Sequence, residues 1–234
     1  MIKKFAPHNT HLSSSILRTE TWIFDLDNTL YSATSELFSQ IDWNITRFVA
    51  KFLNIEETAA RTIQKDYFRR YGTTMRGLMN LHDVDPQEFL EYVHNIDLSP
   101  IANDPKLNLA LDKIPGRKFI FTNGSTAHAQ KVIKKLGIED YFDAIFDIVD
   151  SSYIPKPDPG IYEKLCSKFN IKPSNAVMVE DMACNLLPAH NMGMTTVWVD
   201  SGIDWSRNTQ FEQCIDYKTD DLTSWLQYLT QNPS

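Results

Sequence analysis

The chain has 234 residues, a formal net charge of −7, and 42% hydrophobic and 23% charged residues. That length holds one sizeable core, or a core with a small accessory domain, in a composition ordinary for a globular enzyme. The acidic balance argues against a nucleic acid polymer as partner, because such binding needs a basic face. Any phosphate site must therefore take its positive potential from a metal, a single lysine or backbone N–H groups.

Three cysteines, Cys166, Cys184 and Cys214, stand far apart with no CxxC pair, so neither a zinc site nor a disulfide framework is indicated. They read as reduced thiols in a cytoplasmic protein. Lys3 and Lys4 precede no apolar run, so a signal peptide is not expected. No stretch of about 18 apolar residues offers a membrane span. Residues 1–20 read as a loosely held arm.

Thr21 to Asp25 is a short apolar run ending in acid, which predicts a buried strand. From Ser35 the period changes: Leu37, Ile41, Ile45, Phe48, Val49 and Phe52 recur at helical spacing. Further helical patterns cover 56–71, 74–81 and 85–95, so residues 32–99 read as a helical block. Alternation begins after it. Asn103-Asp104-Pro105 marks a helix start. Strands are predicted over 118–122, 144–149, 176–179 and 195–199. Helices are predicted over 125–136, closed by Gly137, then 158–169, 183–192 and 220–229. Strands separated by helices of this length predict an α/β fold, a Rossmann-like, mostly parallel sheet. The core would comprise 21–31 and 100–234, with 32–99 inserted as a helical cap.

Ligands in open α/β sheets bind beyond the carboxyl ends of the strands. Four such ends carry polar groups: Asp25-Leu26-Asp27-Asn28-Thr29, Thr122-Asn123-Gly124-Ser125, Lys156-Pro157-Asp158-Pro159 and Glu180-Asp181. Asp25 and Asp27 are two apart, and the turn after a strand brings the second carboxylate beside the first. With Asp181 they make a hard oxygen site of the kind Mg²⁺ prefers. Thr122 offers a hydroxyl, Asn123 and Gly124 precede a helix N-terminus suited to phosphate, and Lys156 supplies a compact cation. Each group alone also has a plain structural reading, such as a turn, a helix cap or a solvated charge. Their coincidence at four strand ends points to phosphoryl transfer.

These segments resemble the four motifs of the haloacid dehalogenase-like hydrolases, over roughly Thr21 to Val199, with the helical block matching a cap of the first type. The resemblance implies a phosphomonoester hydrolase with Asp25 as nucleophile, forming an aspartyl-phosphate. It implies that Asp27 is the acid–base partner, that Thr122, Asn123 and Gly124 hold phosphate, and that Lys156 neutralises charge. Asp25, the Asp27 backbone carbonyl and Asp181 would hold Mg²⁺. Many relatives carry a further Asp where this chain has Asn185, so Asn185 is expected, with Glu180, to support the metal site rather than bind the ion. Asp27 argues against true dehalogenases, which lack an acid there.

Tyr71 to Leu78, and Glu180-Asp181 in place of the commoner Gly-Asp, look most similar to the pyrimidine 5′-nucleotidase-like branch. That implies nucleoside 5′-monophosphates as substrates. Met75, Arg76 and His82 are the cap residues expected to choose the substrate, Arg76 by pairing with a ribose or base oxygen or a second phosphate. The alternatives are a sugar-phosphate or phosphoglycolate phosphatase, or, from another class, a phospho-acceptor regulatory module. Asp27 and the large cap count against the last. The expected partner is a small phosphorylated metabolite, met by a monomer or small homo-oligomer.

Overall fold

The computed structural model describes residues 3–4, 16–202 and 209–231. Seven parallel strands form one sheet: β1 (Lys3–Lys4), β2 (Thr21–Phe24), β3 (Arg117–Phe121), β4 (Ala144–Phe146), β5 (Ala176–Glu180), β6 (Thr195–Val199) and β7 (Tyr217–Thr219). Their spatial order is β1-β7-β6-β5-β2-β3-β4. β2 is central, pairing with β3 on one side and β5 on the other. Chain order reverses across β2, so its carboxyl end opens on the crevice where ligands collect in such sheets.

The residues of β2 explain its place. All four are buried. Trp22 and Phe24 enter the core on one face of the sheet, and Ile23 enters the core on the other. A strand covered on both faces reads as a continuous apolar run. The first face is covered by α5 (Pro105–Lys113), α6 (Thr126–Leu136) and α9 (Leu222–Gln231), and the second by α7 (Pro159–Phe169) and α8 (Ala183–Asn191).

Side-chain caps set the helix starts. Asp104 accepts from the Lys106 and Leu107 amides, Ser125 from His128 N–H, and Asp158 from Gly160 N–H. Gly137 ends α6 at φ 70°, a left-handed conformation that costs glycine little. Two boundaries differ from the sequence pattern. The strand predicted over 144–149 stops at Phe146 because the Asp147 carboxylate turns the chain, accepting from the amides of Val149, Asp150 and Thr126. β7 was not anticipated, because three residues are too few to show a period. The arm reading of 1–20 falls mostly outside the described residues. Within them, Lys3–Lys4 pair with β7 and Ile16 joins the core.

Between β2 and β3 lie α1 (Leu37–Leu53), α2 (Glu57–Tyr71), α3 (Thr74–His82) and α4 (Pro86–Val93), as the helical periodicity of 32–99 predicts. They pack on one another around Ile41, Phe48, Val49, Tyr67, Met75, Leu78 and Phe89. Gly77 lets α3 approach α2: a Cβ there would lie 2.6 Å from the Tyr67 Cβ. The Tyr67 ring has little room to yield, since its hydroxyl is held by His82 Nε2 at 2.7 Å.

Alanine normally gains about 1 kcal/mol over glycine inside a helix. Here overpacking, at about 1–3 kcal/mol, outweighs that gain. Gly77→Ala is therefore expected to lower Tm. A raised Tm in thermal unfolding would contradict this close approach.

Candidate active site

The floor of the site is the ends of three adjacent strands with Lys156 beneath them. The Lys156 ammonium is buried and donates to Asp25 Oδ1 at 2.7 Å, Glu180 Oε2 at 2.6 Å and the Phe121 carbonyl at 2.9 Å. Its three hydrogens are all used. Burial alone would lower its pKa, but Asp25 and then Glu180 outweigh this and raise it, so the ammonium stays charged. The loop before α7 that carries it is anchored by Asn123, whose Oδ1 accepts from Lys156 N–H at 2.8 Å. The Asn123 side chain thus anchors the Lys156 loop at the edge of the cavity. Thr122 is buried, and its Oγ1 accepts from Gly124 N–H at 2.9 Å.

Asp25 continues the β2 ladder through its amide, which donates to the Val179 carbonyl at 2.9 Å. Its second oxygen, Oδ2, accepts from the Thr29 hydroxyl at 3.0 Å. The chain then turns through Asn28 at φ 61°, a conformation asparagine tolerates better than most residues. Asp27, just before that turn, lies close enough for its charge to act on Asp25. Asp27 Oδ1 accepts from the Tyr31 hydroxyl at 2.6 Å and lies 2.9 Å from His128 Nε2. Neither partner was anticipated from the sequence. Tyr31 lies four residues on, within reach of a turn, but His128 is 101 positions away.

The two carboxylates have opposite proton affinities. Burial, then the neighbouring Glu180, push Asp25 up to about 7 against the opposing pull of Lys156. Burial also favours the neutral form of Asp27, but His128 and the hydrogen bonds from His128 and Tyr31 outweigh it and hold the carboxyl below its usual range. Asp181 is raised by burial and then by Glu180 and Asp25.

This acidic cluster fits a cation. Asp25, Glu180 and Asp181 each offer a carboxylate oxygen within 4.8 Å of the others. Asp181 Oδ2 is buried with no hydrogen-bond partner among the described residues, a costly condition unless a cation meets it. Glu180 is already engaged, with Oε2 on Lys156 and Oε1 on Met182 N–H at 3.1 Å. Trp198 Nε1–H donates to the Asp181 carbonyl at 2.7 Å and fixes it. Asn185 is buried at the cavity edge, and its carbonyl accepts from the Tyr162 hydroxyl at 2.6 Å.

Above this floor is a cavity of about 510 Å³, roofed by the helical insert. Asp25, Asp27, Thr122, Asn123, Gly124, Lys156, Glu180, Asp181 and Asn185 all line it, so the predicted core residues converge. Its upper wall is mainly apolar, including Ile41, Ile45, Phe68, Met75 and Phe89. The three cap candidates separate. Met75 lines the cavity, whereas Arg76 faces a second hollow beside Tyr71, Asn80 and Pro155, and His82 is turned to Tyr67. Helical spacing does not determine which face looks inward. The cations on the cavity wall are Lys65 and Arg69 of α2. Lys65 is paired with Asp42 at 2.8 Å, while Arg69 is exposed and has no ion pair among the described residues.

Residues 19–193 match the haloacid dehalogenase-like hydrolase family. The chain belongs to that family and is a hydrolase of it. It is 26% identical over 226 residues to a glyceraldehyde 3-phosphate phosphatase of Pyrococcus furiosus, covering 91% of this chain and 93% of that one. It is 28% identical over 193 residues to phosphate metabolism protein 8 of Saccharomyces cerevisiae, covering 75% of this chain and 60% of that protein, so the match spans less than two thirds of that relative. A phosphatase of the family from Thermococcus onnurineus shares the fold, with a TM-score of 0.59 at 23% identity over 90% of this chain and 97% of that one. Among the described residues no helix is long and apolar enough to cross a membrane.

The raised carboxylates set a pH dependence. Asp25, at about 7, and Asp181 hold protons in the folded protein that the unfolded chain releases near 3.8. Their contribution to stability is present at low pH and lost as pH rises towards 7. A cation competes with those protons. Magnesium chloride is therefore expected to raise Tm more at pH 8 than at pH 5.5, and Asp181→Asn should remove most of the difference. Equal shifts at both pH values would count against a cation site here.

Proposed function

We infer that the protein is a phosphomonoesterase acting on nucleoside 5′-monophosphates, with pyrimidines favoured. The observation that carries this reading is that two carboxylates, Asp25 tied to Lys156 and Asp27 tied to Tyr31 and His128, face one cavity beside the acidic cluster that fits a cation. A cation beside Asp25 would add to the pull of Lys156 and keep that carboxylate ionised as the nucleophile, leaving Asp27 to carry the proton.

Asp25 attacks phosphorus, and the bond to the leaving oxygen breaks with its electron pair leaving on that oxygen. Asp27 gives the leaving oxygen a proton; the negative charge of the bound phosphate raises its proton affinity enough to carry one. Asp27 then takes a proton from water as the water oxygen bonds to phosphorus and the Asp25–phosphorus bond breaks. Lys156 balances charge at Asp25, while the Thr122 hydroxyl and the backbone amides around Asn123 and Gly124 hold phosphate oxygens. Asp25, the Asp27 carbonyl and Asp181 would hold Mg²⁺, which when bound supplies positive charge to Asp25 and the phosphate. Glu180 and Asn185 support that arrangement from behind.

The helical insert acts as a cap that excludes water and contacts the leaving group. Its apolar wall suits the face of a base, with Met75 against it and Arg69 at the edge. About 510 Å³ exceeds what a two-carbon phosphate fills. The second reading, a sugar-phosphate phosphatase, is favoured by the full-length match to the Pyrococcus furiosus enzyme.

Phosphate release from UMP, CMP, AMP, phosphoglycolate and glyceraldehyde 3-phosphate, each with Mg²⁺ and with EDTA, tests the reading. The expected outcome is magnesium-dependent release concentrated on UMP and CMP. Preference for the three-carbon phosphate would favour the second reading. Asp25→Asn is expected to fold and to lose about 10³-fold or more in kcat, and near-normal turnover by that variant would remove Asp25 as nucleophile.

A further inference from the structure

Asp27 Oδ1 sits in a socket that the proposed chemistry does not by itself require. Tyr31 and His128 both meet this one oxygen, at 2.6 and 2.9 Å. An ionised carboxylate only accepts, so His128 Nε2 carries the hydrogen. Oδ2 receives no hydrogen bond among the described residues, and Asp27 lines the cavity.

The socket is rigid. The His128 side chain is 1% exposed. Its ring stacks on His94 with centroids 4.4 Å apart and an interplanar angle of 7°. His94 Nδ1 is held in turn by the Ser125 hydroxyl at 3.1 Å, and Ser125 Oγ also accepts from His128 N–H at 3.3 Å. Tyr31 is buried in the main core. A helix start, the end of the insert and the turn after β2 therefore converge on a single oxygen atom.

We propose that His128 and Tyr31 are positioning residues for Asp27, tying Oδ1 so that Oδ2 faces the cavity and exchanges the proton. This rests on Asp27 being the proton carrier. In the first step the leaving oxygen takes the proton from Oδ2 as it receives the electron pair of the broken bond to phosphorus. The charge left on the carboxylate is met at Oδ1 by two donors already in place, which need no reorganisation. In the second step Oδ2 takes the proton of the attacking water. His128 and Tyr31 neither gain nor lose a proton. The contribution is largest where the leaving oxygen is most basic, because proton donation matters most there.

The test is a series of phosphomonoesters from alkyl phosphates to 4-nitrophenyl phosphate. It reads kcat/KM, which reports the steps up to departure of the leaving group. His128→Leu is expected to lose about tenfold or more on alkyl esters and under about threefold on 4-nitrophenyl phosphate. The dependence on leaving-group pKa therefore steepens. His128→Gln, which keeps an N–H donor at similar reach, recovers most of the loss. Tyr31→Phe, which deletes one oxygen atom, steepens the dependence in the same sense and serves if His128→Leu fails to fold. A loss by one common factor across the series, as a general structural defect gives, overturns the proposal. Asp27→Asn separates the two levels. Undiminished hydrolysis of alkyl esters by that variant removes Asp27 from the mechanism, whereas an inactive Asp27→Asn beside unchanged slopes refutes only the role of His128 and Tyr31.

Discussion

The site is organised around the buried ammonium of Lys156. An ammonium taken out of water without partners is strongly unfavourable. Here it has three acceptors at hydrogen-bond distance: the ends of β2 and β5 through Asp25 and Glu180, and the last carbonyl of β3. One cation thus holds three neighbouring strand ends in fixed relation, and Asn123 fixes the loop that delivers it. This arrangement costs stability where it leaves carboxylates in excess. Burial first, and then the charge of Glu180 that a single ammonium does not balance, hold Asp25 and Asp181 above their ordinary proton affinity. A cluster with too much negative charge is a poor place for phosphate and a good place for a divalent cation, and a cation there reverses the sign of the local field.

Floor and roof divide the work. The floor is made of strand ends locked by the sheet, and among the described residues Asn28 Oδ1, Asp181 Oδ2 and the face of Asp27 turned to the cavity are the polar groups left without a partner there. The roof has a separate apolar core of its own, built by four helices between β2 and β3. It presents mainly carbon to the cavity, with Lys65 and Arg69 as its cations. The His94 and His128 stack joins floor and roof, since His94 follows the last helix of the insert while His128 stands on α6 of the core. Burial and the nearby His128 push His94 down to about 3, so the stack carries no charge on that ring at neutral pH.

The sequence by itself determined the α/β alternation, the helical insert and the strand-end acids. Each of these is written locally: a buried strand as an apolar run, a helix as a 3.6-residue period, a strand-end site as adjacent polar residues after that run. Asp25, Asp27, Thr122 and Asp181 were legible for that reason, and the structure brings them to one cavity with Lys156, which comes from the loop past β4. Tertiary structure alone decided the direction of each side chain. Arg76 and Met75 are neighbours on α3, yet Met75 meets the cavity and Arg76 a different hollow, because the packing of α3 on α2 at Gly77 fixes the rotation of the helix. The Asn123 side chain is held by a loop 33 residues later, a contact the local sequence does not announce. His128 gave no signal beside Asp27, since contact across 101 positions is set by how helix and sheet pack and leaves no local pattern in the chain.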